Sequence, residues 1–276
     1  MNTLAGRGSI ACGYTVGVSG WVDAIVLAGQ REGEDPFATA QGAPHRALVP
    51  VGGQPMLERV LATLHQHPRV GSVRVCIDQP TLVDQPDVVT LQAANSPSQS
   101  VLEALDTLPP SAARRPTLLT TADHALLDAP ILDAFLRGAD DSGADLAVGF
   151  VEKQHLQAAY PESKRTYLHF QGGGYSGANL FALRTPAARG AIEFWRQIEQ
   201  HRKRPWRLVS AFGFSTLVRF ALRTLSLEEG FARASEVLGL RARPVLLPFP
   251  HAAIDVDKPA DLELVEQILR ERASPP

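Results

Sequence analysis

Hydrophobic residues recur in short runs along the chain, separated by longer stretches with an amphipathic rhythm. Val22-Asp23-Ala24-Ile25-Val26-Leu27 reads as a buried strand that ends at Ala28-Gly29. A polar loop over 30–45 follows. Ala47-Leu48-Val49-Pro50-Val51 reads as a short apolar strand turned by Gly52-Gly53. Pro55 then opens a helix whose apolar face is Met56, Val60, Leu61 and Leu64. Further strands are expected over 73–77, 88–91, 117–121 and 145–151. Between them, 98–108 and 130–136 read as helices, with Ser98 the natural cap of the first.

Later in the chain the pattern changes. Thr166 to Phe170, Gln171-Gly172-Gly173-Gly174 and Tyr175 read as a hairpin, and 186–239 as mostly helical. A late strand is expected over 244–248, and Pro259 opens a last helix bearing Leu262, Val265, Ile268 and Leu269. Strands alternating with helices at this spacing predict a mostly parallel sheet covered on both faces.

Composition narrows the function. The chain has 276 residues, ordinary globular content and a net charge of −2. A dedicated nucleic-acid binder is usually basic, so nucleic acid is not expected as a partner. Cys12 and Cys76 have no metal-type spacing and build no disulfide framework, which fits a cytoplasmic enzyme. The uncharged stretch from Gly8 to Val22 is interrupted by Gly, Ser and Thr and is too short to span a bilayer. Residues 1–20 read as a flexible extension or a misassigned start, preceding a domain over 21–272.

Candidate chemistry collects at strand ends. Leu27-Ala28-Gly29-Gln30-Arg31 closes the first strand with small residues, which let backbone N–H groups approach a phosphate. It is equally the pattern of an ordinary tight turn. No G-x-G-x-x-G follows this strand and no P-loop occurs, which excludes the two commonest nucleotide signatures. No G-x-S-x-G nucleophile elbow occurs either. Asp123 ends the strand Thr117-Leu118-Leu119-Thr120-Thr121, where a carboxylate suits a hard cation such as Mg²⁺, or caps the next turn. His124 beside it could meet a ligand, while His65 and His67 face apart and make a poor metal pair.

Leu27-Ala28-Gly29, a loop, Arg46, a short strand and then Gly53-Gln54-Pro55-Met56-Leu57 resemble the MobA-like NTP transferase family. So does Ile254-Asp255-Val256-Asp257-Lys258-Pro259-Ala260-Asp261-Leu262, which is similar to the family's I-D-x-D-x-P-x-D-L signature before its last helix. The resemblance covers roughly 22–272. It implies a single Rossmann-like α/β/α sandwich with a mostly parallel mixed sheet, of the nucleotide-diphospho-sugar transferase type.

The resemblance also implies roles. The first loop, Leu27 to Gln30 with Arg31, would wrap an NTP triphosphate. Arg46 stands where the family has a phosphate-binding lysine, and Gln30 where a second glycine is usual. Asn95, Ser96 and Ser100 fall in the segment that lines the base pocket, and Gln99-Ser100-Val101 is similar to the cytidylyltransferase branch. Asp257 aligns with the residue that completes the metal site with Asp123; alternation puts Asp255 on the same side as Asp257. Asp261 reads as a first-turn helix residue. Gly177 and Asn179 fall where the family approaches its acceptor, and Lys164 and Arg165 either hold an acceptor phosphate or form a solvated pair.

The implied activity is Mg²⁺-dependent transfer of NMP from an NTP to a phosphorylated small-molecule acceptor, with pyrophosphate released. Two alternatives stand beside it. One is a GT-A-type glycosyltransferase using a nucleotide sugar, since Asp255-x-Asp257 mimics its metal motif. The other is a nucleotide-binding regulatory domain without turnover.

Overall fold

One eight-stranded sheet, rich in Val, Ile and Leu, organises the molecule. A computed structural model describes residues 21–30, 33–109, 115–200 and 211–273. Expectations for 1–20, for Arg31 and for the part of the expected helical stretch over 201–210 lie outside the described residues.

The strands are β1 (Val22–Leu27), β4 (Val70–Ile77), β5 (Val88–Gln92), β6 (Thr117–Thr121), β7 (Leu146–Glu152), β8 (Leu168–Phe170), β9 (Gly173–Leu183) and β10 (Ala242–Leu246). A two-stranded ribbon of β2 (Pro50–Val51) and β3 (Gln54–Pro55) stands apart. The large sheet runs β10-β7-β9-β6-β1-β4-β5, with β8 on β9. Contacts of β1 with β4 and β6, of β4 with β5 and of β7 with β10 are parallel. β9 is antiparallel to β6, β7 and β8, so the sheet is mixed but mostly parallel.

Alternation along β1 divides the core. Ala24 and Val26 pack with α2 (Met56–Gln66) and α4 (Ala129–Asp141), through Leu57, Leu61, Ile131 and Phe135. Ile25 faces the other way, toward Val101 and Leu102 of α3 (Pro97–Asp106) and Ile192 of α6 (Arg189–Gln200). All three β1 residues are fully buried. That makes the α/β/α sandwich expected of a continuous apolar strand. A Cβ on Gly138 of α4 would come within 2.6 Å of Val245 on β10, so only glycine lets this helix lie so close to the sheet edge.

A third apolar cluster sits beneath the carboxyl edge of the sheet. Phe37, Val49, Met56, Leu126, Ile254 and Val256 meet there with the last helix, α9 (Pro259–Ala273). Two helices precede β10, namely α7 (Phe214–Ala221) and α8 (Leu227–Leu238). Among the described residues no helix is long and apolar enough to cross a membrane.

Three local expectations are corrected. The loop over 30–45 contains a short helix, α1 (Pro36–Ala40), because Asp35 accepts hydrogen bonds from the Phe37 and Ala38 N–H groups. The apolar segment after it begins as a 3₁₀ turn, Arg46–Leu48, rather than a strand. Ser96, not Ser98, caps α3, since Pro97 fits the first helical position and Ser96 is extended. A further short helix, α5 (Lys153–Ala159), has no counterpart in the sequence reading.

Candidate functional site

β1, β4 and β6 are parallel, so their carboxyl ends and the loops leaving them share one edge. Leu27, Asp78 and Asp123 therefore stand close together. Leu27 pairs with Thr121, and the Ala122 N–H donates to the Leu27 carbonyl at 2.9 Å. Ala28 is buried, and a Cβ on Gly29 would lie 3.1 Å from the Ala93 Cβ, a close approach between the first loop and the end of β5. The loop then opens onto a groove of about 560 Å³ lined by Gln30, Gly33, Asp35, Asp78 and Gln79. That volume is within the range of small-molecule sites.

Arg46 lies at the centre. Its Nη1 donates to Asp35 Oδ2 at 3.0 Å. Its Nη2 donates to the Asp257 carbonyl and to Asp257 Oδ1. The Phe37 ring stacks beneath, 5.4 Å from the guanidinium. Burial opposes ionisation of Asp35, but the Ala38 N–H, the Arg46 guanidinium and the Phe37 N–H together hold its carboxyl below the usual range. The fork geometry of arginine makes this double contact possible.

Asp123 anchors the second half. Its backbone carbonyl accepts the Val256 N–H at 3.1 Å, which binds the segment 254–257 to the end of β6. Ile254 and Val256 point into the core, so Asp255 and Asp257 project from the other side. Burial first, then the charges of Asp255 and Asp257, push the Asp123 carboxyl up to about 6, against a hydrogen bond from Thr121 Oγ1. A bound cation would relieve that repulsion. No cluster of three metal-ligating side chains occurs among the described residues. Asp123 and Asp257 could thus supply two carboxylates, leaving phosphate and water oxygens for the rest, a donor set that fits Mg²⁺.

Asp255 and Asp257 do not form a common chelate. Asp255 is held by Arg165 Nη2, by Arg165 Nη1 to its carbonyl at 3.2 Å, and by the Asn179 amide at 3.0 Å. Asn179 has φ +50°, where the β7–β9 register shifts between Val148 and Phe150. Such a bulge re-aims a side chain, and asparagine tolerates the left-handed region best after glycine. Asp261 is buried in the first turn of α9 and accepts the Asp257 N–H at 3.1 Å.

Lys164 and Arg165, read either as a phosphate-holding pair or as a solvated pair, do not act as a pair at all. Arg165 turns inward onto Asp255, with Asp261 at 4.0 Å, while Lys164 is exposed. Adjacent residues of an extended segment project to opposite sides. Gly177 is exposed, with open space where a Cβ would stand. On the base side, the Ser96 hydroxyl caps the Gln99 N–H. Ser100 donates to the Ser96 carbonyl and accepts the Ala94 N–H, so it shapes the loop around the exposed Asn95. His124 is buried and pushed down to about 4 by burial.

A family model for the MobA-like NTP transferase domain matches residues 24–233. The chain belongs to that family.

Relatives of this MobA-like transferase support the assignment. A 2-C-methyl-D-erythritol 4-phosphate cytidylyltransferase of Xanthomonas euvesicatoria is 32% identical over 158 residues, covering 46% of this chain and 58% of that protein. The alignment thus spans little more than half the curated relative. A solved hypothetical transferase of Thermus thermophilus is 31% identical at TM-score 0.73, covering 88% of this chain and 99% of that one. A CMP:2-keto-3-deoxy-manno-octonic acid synthetase complexed with CTP shares the fold, at 16% identity and TM-score 0.55 over 91% of this chain and 99% of the other.

Three polar residues of this site have no role in the sequence reading, Asp35, His45 and Asp78. Asp78 follows β4 as Asp123 follows β6, which is the signal that could have found it.

Proposed function

We propose that this transferase moves a nucleoside monophosphate from an NTP to a phosphorylated small-molecule acceptor. An acceptor phosphate oxygen attacks the α-phosphorus, the bond from that phosphorus to the bridging oxygen breaks, and pyrophosphate leaves. The observation that carries this reading is the meeting of Arg46, Asp123 and Asp257 beside the loop that leaves β1. One cation and two carboxylates there suit a triphosphate and the metal that accompanies it.

Arg46 would exchange its two carboxylate partners for phosphate oxygens, and the N–H groups near Gly29 and Gln30 would add donors to the same anion. Asp123 and Asp257 would hold Mg²⁺, which when bound neutralises charge on the phosphates. An acceptor phosphate is already ionised near neutral pH, so the chain needs no general base. Lys164 and the open backbone at Gly177 are the acceptor-side groups; Arg165 and Asn179 act by holding Asp255. CTP is the first nucleotide to try, given the cytidylyltransferase named among the relatives and the Gln99-Ser100-Val101 segment.

The test is pyrophosphate release from each of four NTPs with a panel of phosphorylated acceptors and Mg²⁺. Release that depends on an acceptor is expected. Tight NTP binding without release against any acceptor would favour the regulatory-domain reading, and binding of nucleotide sugars alone would favour the glycosyltransferase.

A further inference from the structure

His45 and Asp78 are polar, stand beside the candidate phosphate clamp and take no part in the reaction just described. His45 is 0% exposed. Its Nδ1 accepts the Ala47 N–H at 3.1 Å, so the ring proton sits on Nε2. Nε2 donates to Asp78 Oδ1 at 2.8 Å. The same Oδ1 accepts the Gln30 backbone N–H at 3.0 Å. Gln30 Oε1 in turn accepts the Arg46 N–H at 3.1 Å.

These bonds close a ring. Asp78 holds the chain where it leaves β1, and through His45 it holds the 3₁₀ turn that presents Arg46. Gln30 links the two directly. We infer that Asp78 and His45 are positioning residues for triphosphate recognition: the carboxylate and imidazole keep the loop that leaves β1 and the Arg46 guanidinium in one register, so that both border the same polyanion. This rests on reading the chain as an NTP-using transferase.

Charge supports the assignment. Asp78 lines the groove with Gln30 and Asp35. A carboxylate beside a bound triphosphate repels it, so its presence works against binding unless its hydrogen bonds do something in return. Burial favours a neutral Asp78, yet the bonds from His45 and the Gln30 N–H outweigh it and keep the carboxyl below its usual range. Hydrogen bonds to an ionised acceptor are stronger than neutral ones, so a single oxygen can fix two donors. Gln92 Nε2 also donates to the Asp78 carbonyl at 2.9 Å, which ties the relay to β5.

The variants separate capping from relay. Asparagine at position 45 still caps the Ala47 N–H but is too short to reach Asp78. Asp78→Asn keeps an oxygen for both donors, and Asp78→Ala removes it. Calorimetry would measure the affinity of each variant for the NTP that the wild-type protein binds best, and for its own monophosphate. His45→Asn and Asp78→Ala should weaken the triphosphate about tenfold or more and the monophosphate less than about threefold, with Asp78→Asn close to wild type. In an Arg46→Ala background, adding Asp78→Ala should weaken NTP binding several-fold less than it does in the wild-type protein, since part of the relay acts through that side chain. Parallel loss of NTP and NMP affinity, or an undiminished effect of Asp78→Ala without Arg46, would overturn the relay while leaving the transferase reading intact. A wild-type protein that binds none of the four NTPs would overturn that reading and the relay with it.

Discussion

Arg46 and Asp257 are 211 residues apart in sequence, yet Arg46 Nη2 lies 3.1 Å from Asp257 Oδ1. One side chain thus joins the loop of the first strand to the segment before the last helix. The same guanidinium reaches Asp35 at 3.0 Å. Replacing it by alanine removes the central cation of the proposed phosphate site, and kcat/KM for NTP should fall about a hundredfold. Arg46→Lys keeps the charge and should recover most of that rate. A single ammonium cannot serve Asp35 and Asp257 in a fork, so the lysine variant should melt about 2–4 °C lower. Steady-state kinetics and thermal melts check both. An alanine variant with wild-type kcat/KM would remove Arg46 from the site.

Asp123 and Asp257 differ in setting but share a proposed cation. Either residue changed to Asn should lower turnover by at least about tenfold, roughly 1.4 kcal/mol of barrier. The fold should persist. Asp257 has a side chain 62% exposed, and Asp123→Asn can still accept the hydrogen bond from Thr121. Circular dichroism would confirm folding. Full activity of both variants in excess EDTA would exclude the metal assignment.

The sheet was legible where its strands are continuous apolar runs. Val22 to Leu27 and Thr117 to Thr121 stand where the pattern puts them, since strands buried on both faces admit few polar residues. Helix α1 escaped although Asp35-Pro36 is a proper start signal, because only Phe37 and Ala38 are buried and five residues set up no periodicity. In the site, the family resemblance pointed to Arg46 and Asp257 and the strand end to Asp123, and the structure brings the three segments together. The His45–Asp78 bond was not legible, since 33 residues and a whole helix separate partners that only the parallel β1–β4 pairing brings together. Lys164 and Arg165 adjoin in sequence but not in space, since neighbours on an extended segment project to opposite sides.

The raised pKa of Asp123 makes a pH prediction with a definite sign. Its carboxyl is pushed up to about 6, chiefly by burial and Asp255, from an ordinary 3.8 in the unfolded chain. The folded state therefore binds that proton more tightly. The stabilisation is fully present below about 4 and is lost as pH rises through about 6. At pH 8 without metal, Asp123→Asn should be more stable than wild type by about 3 kcal/mol, and near pH 4 the difference should nearly vanish. Saturating Mg²⁺ should raise the wild-type melting temperature more than that of the variant. Denaturant melts at the two pH values test this, and a variant less stable than wild type at pH 8 would contradict it.

Lys164 and Arg165 should separate cleanly. Arg165 is 10% exposed and paired with Asp255, which is 15% exposed. Removing the guanidinium leaves a mostly buried carboxylate, still bonded to the Asn179 amide, beside Asp123. Arg165→Ala should therefore cost about 3 kcal/mol of stability. It should also lower kcat, because Asp255 and the adjoining Asp257 lose their anchor. Lys164 is exposed, and among the described residues no such network depends on it. Lys164→Ala should leave the melting temperature within about a degree, as surface substitutions do. If its charge meets the acceptor phosphate, the acceptor KM should rise several-fold while NTP affinity and kcat stay near wild type, the signature of lost ground-state binding at one substrate. Varying each substrate in turn measures this. An unchanged acceptor KM would leave Lys164 a solvated loop residue, and a loss of NTP affinity instead would move it to the triphosphate.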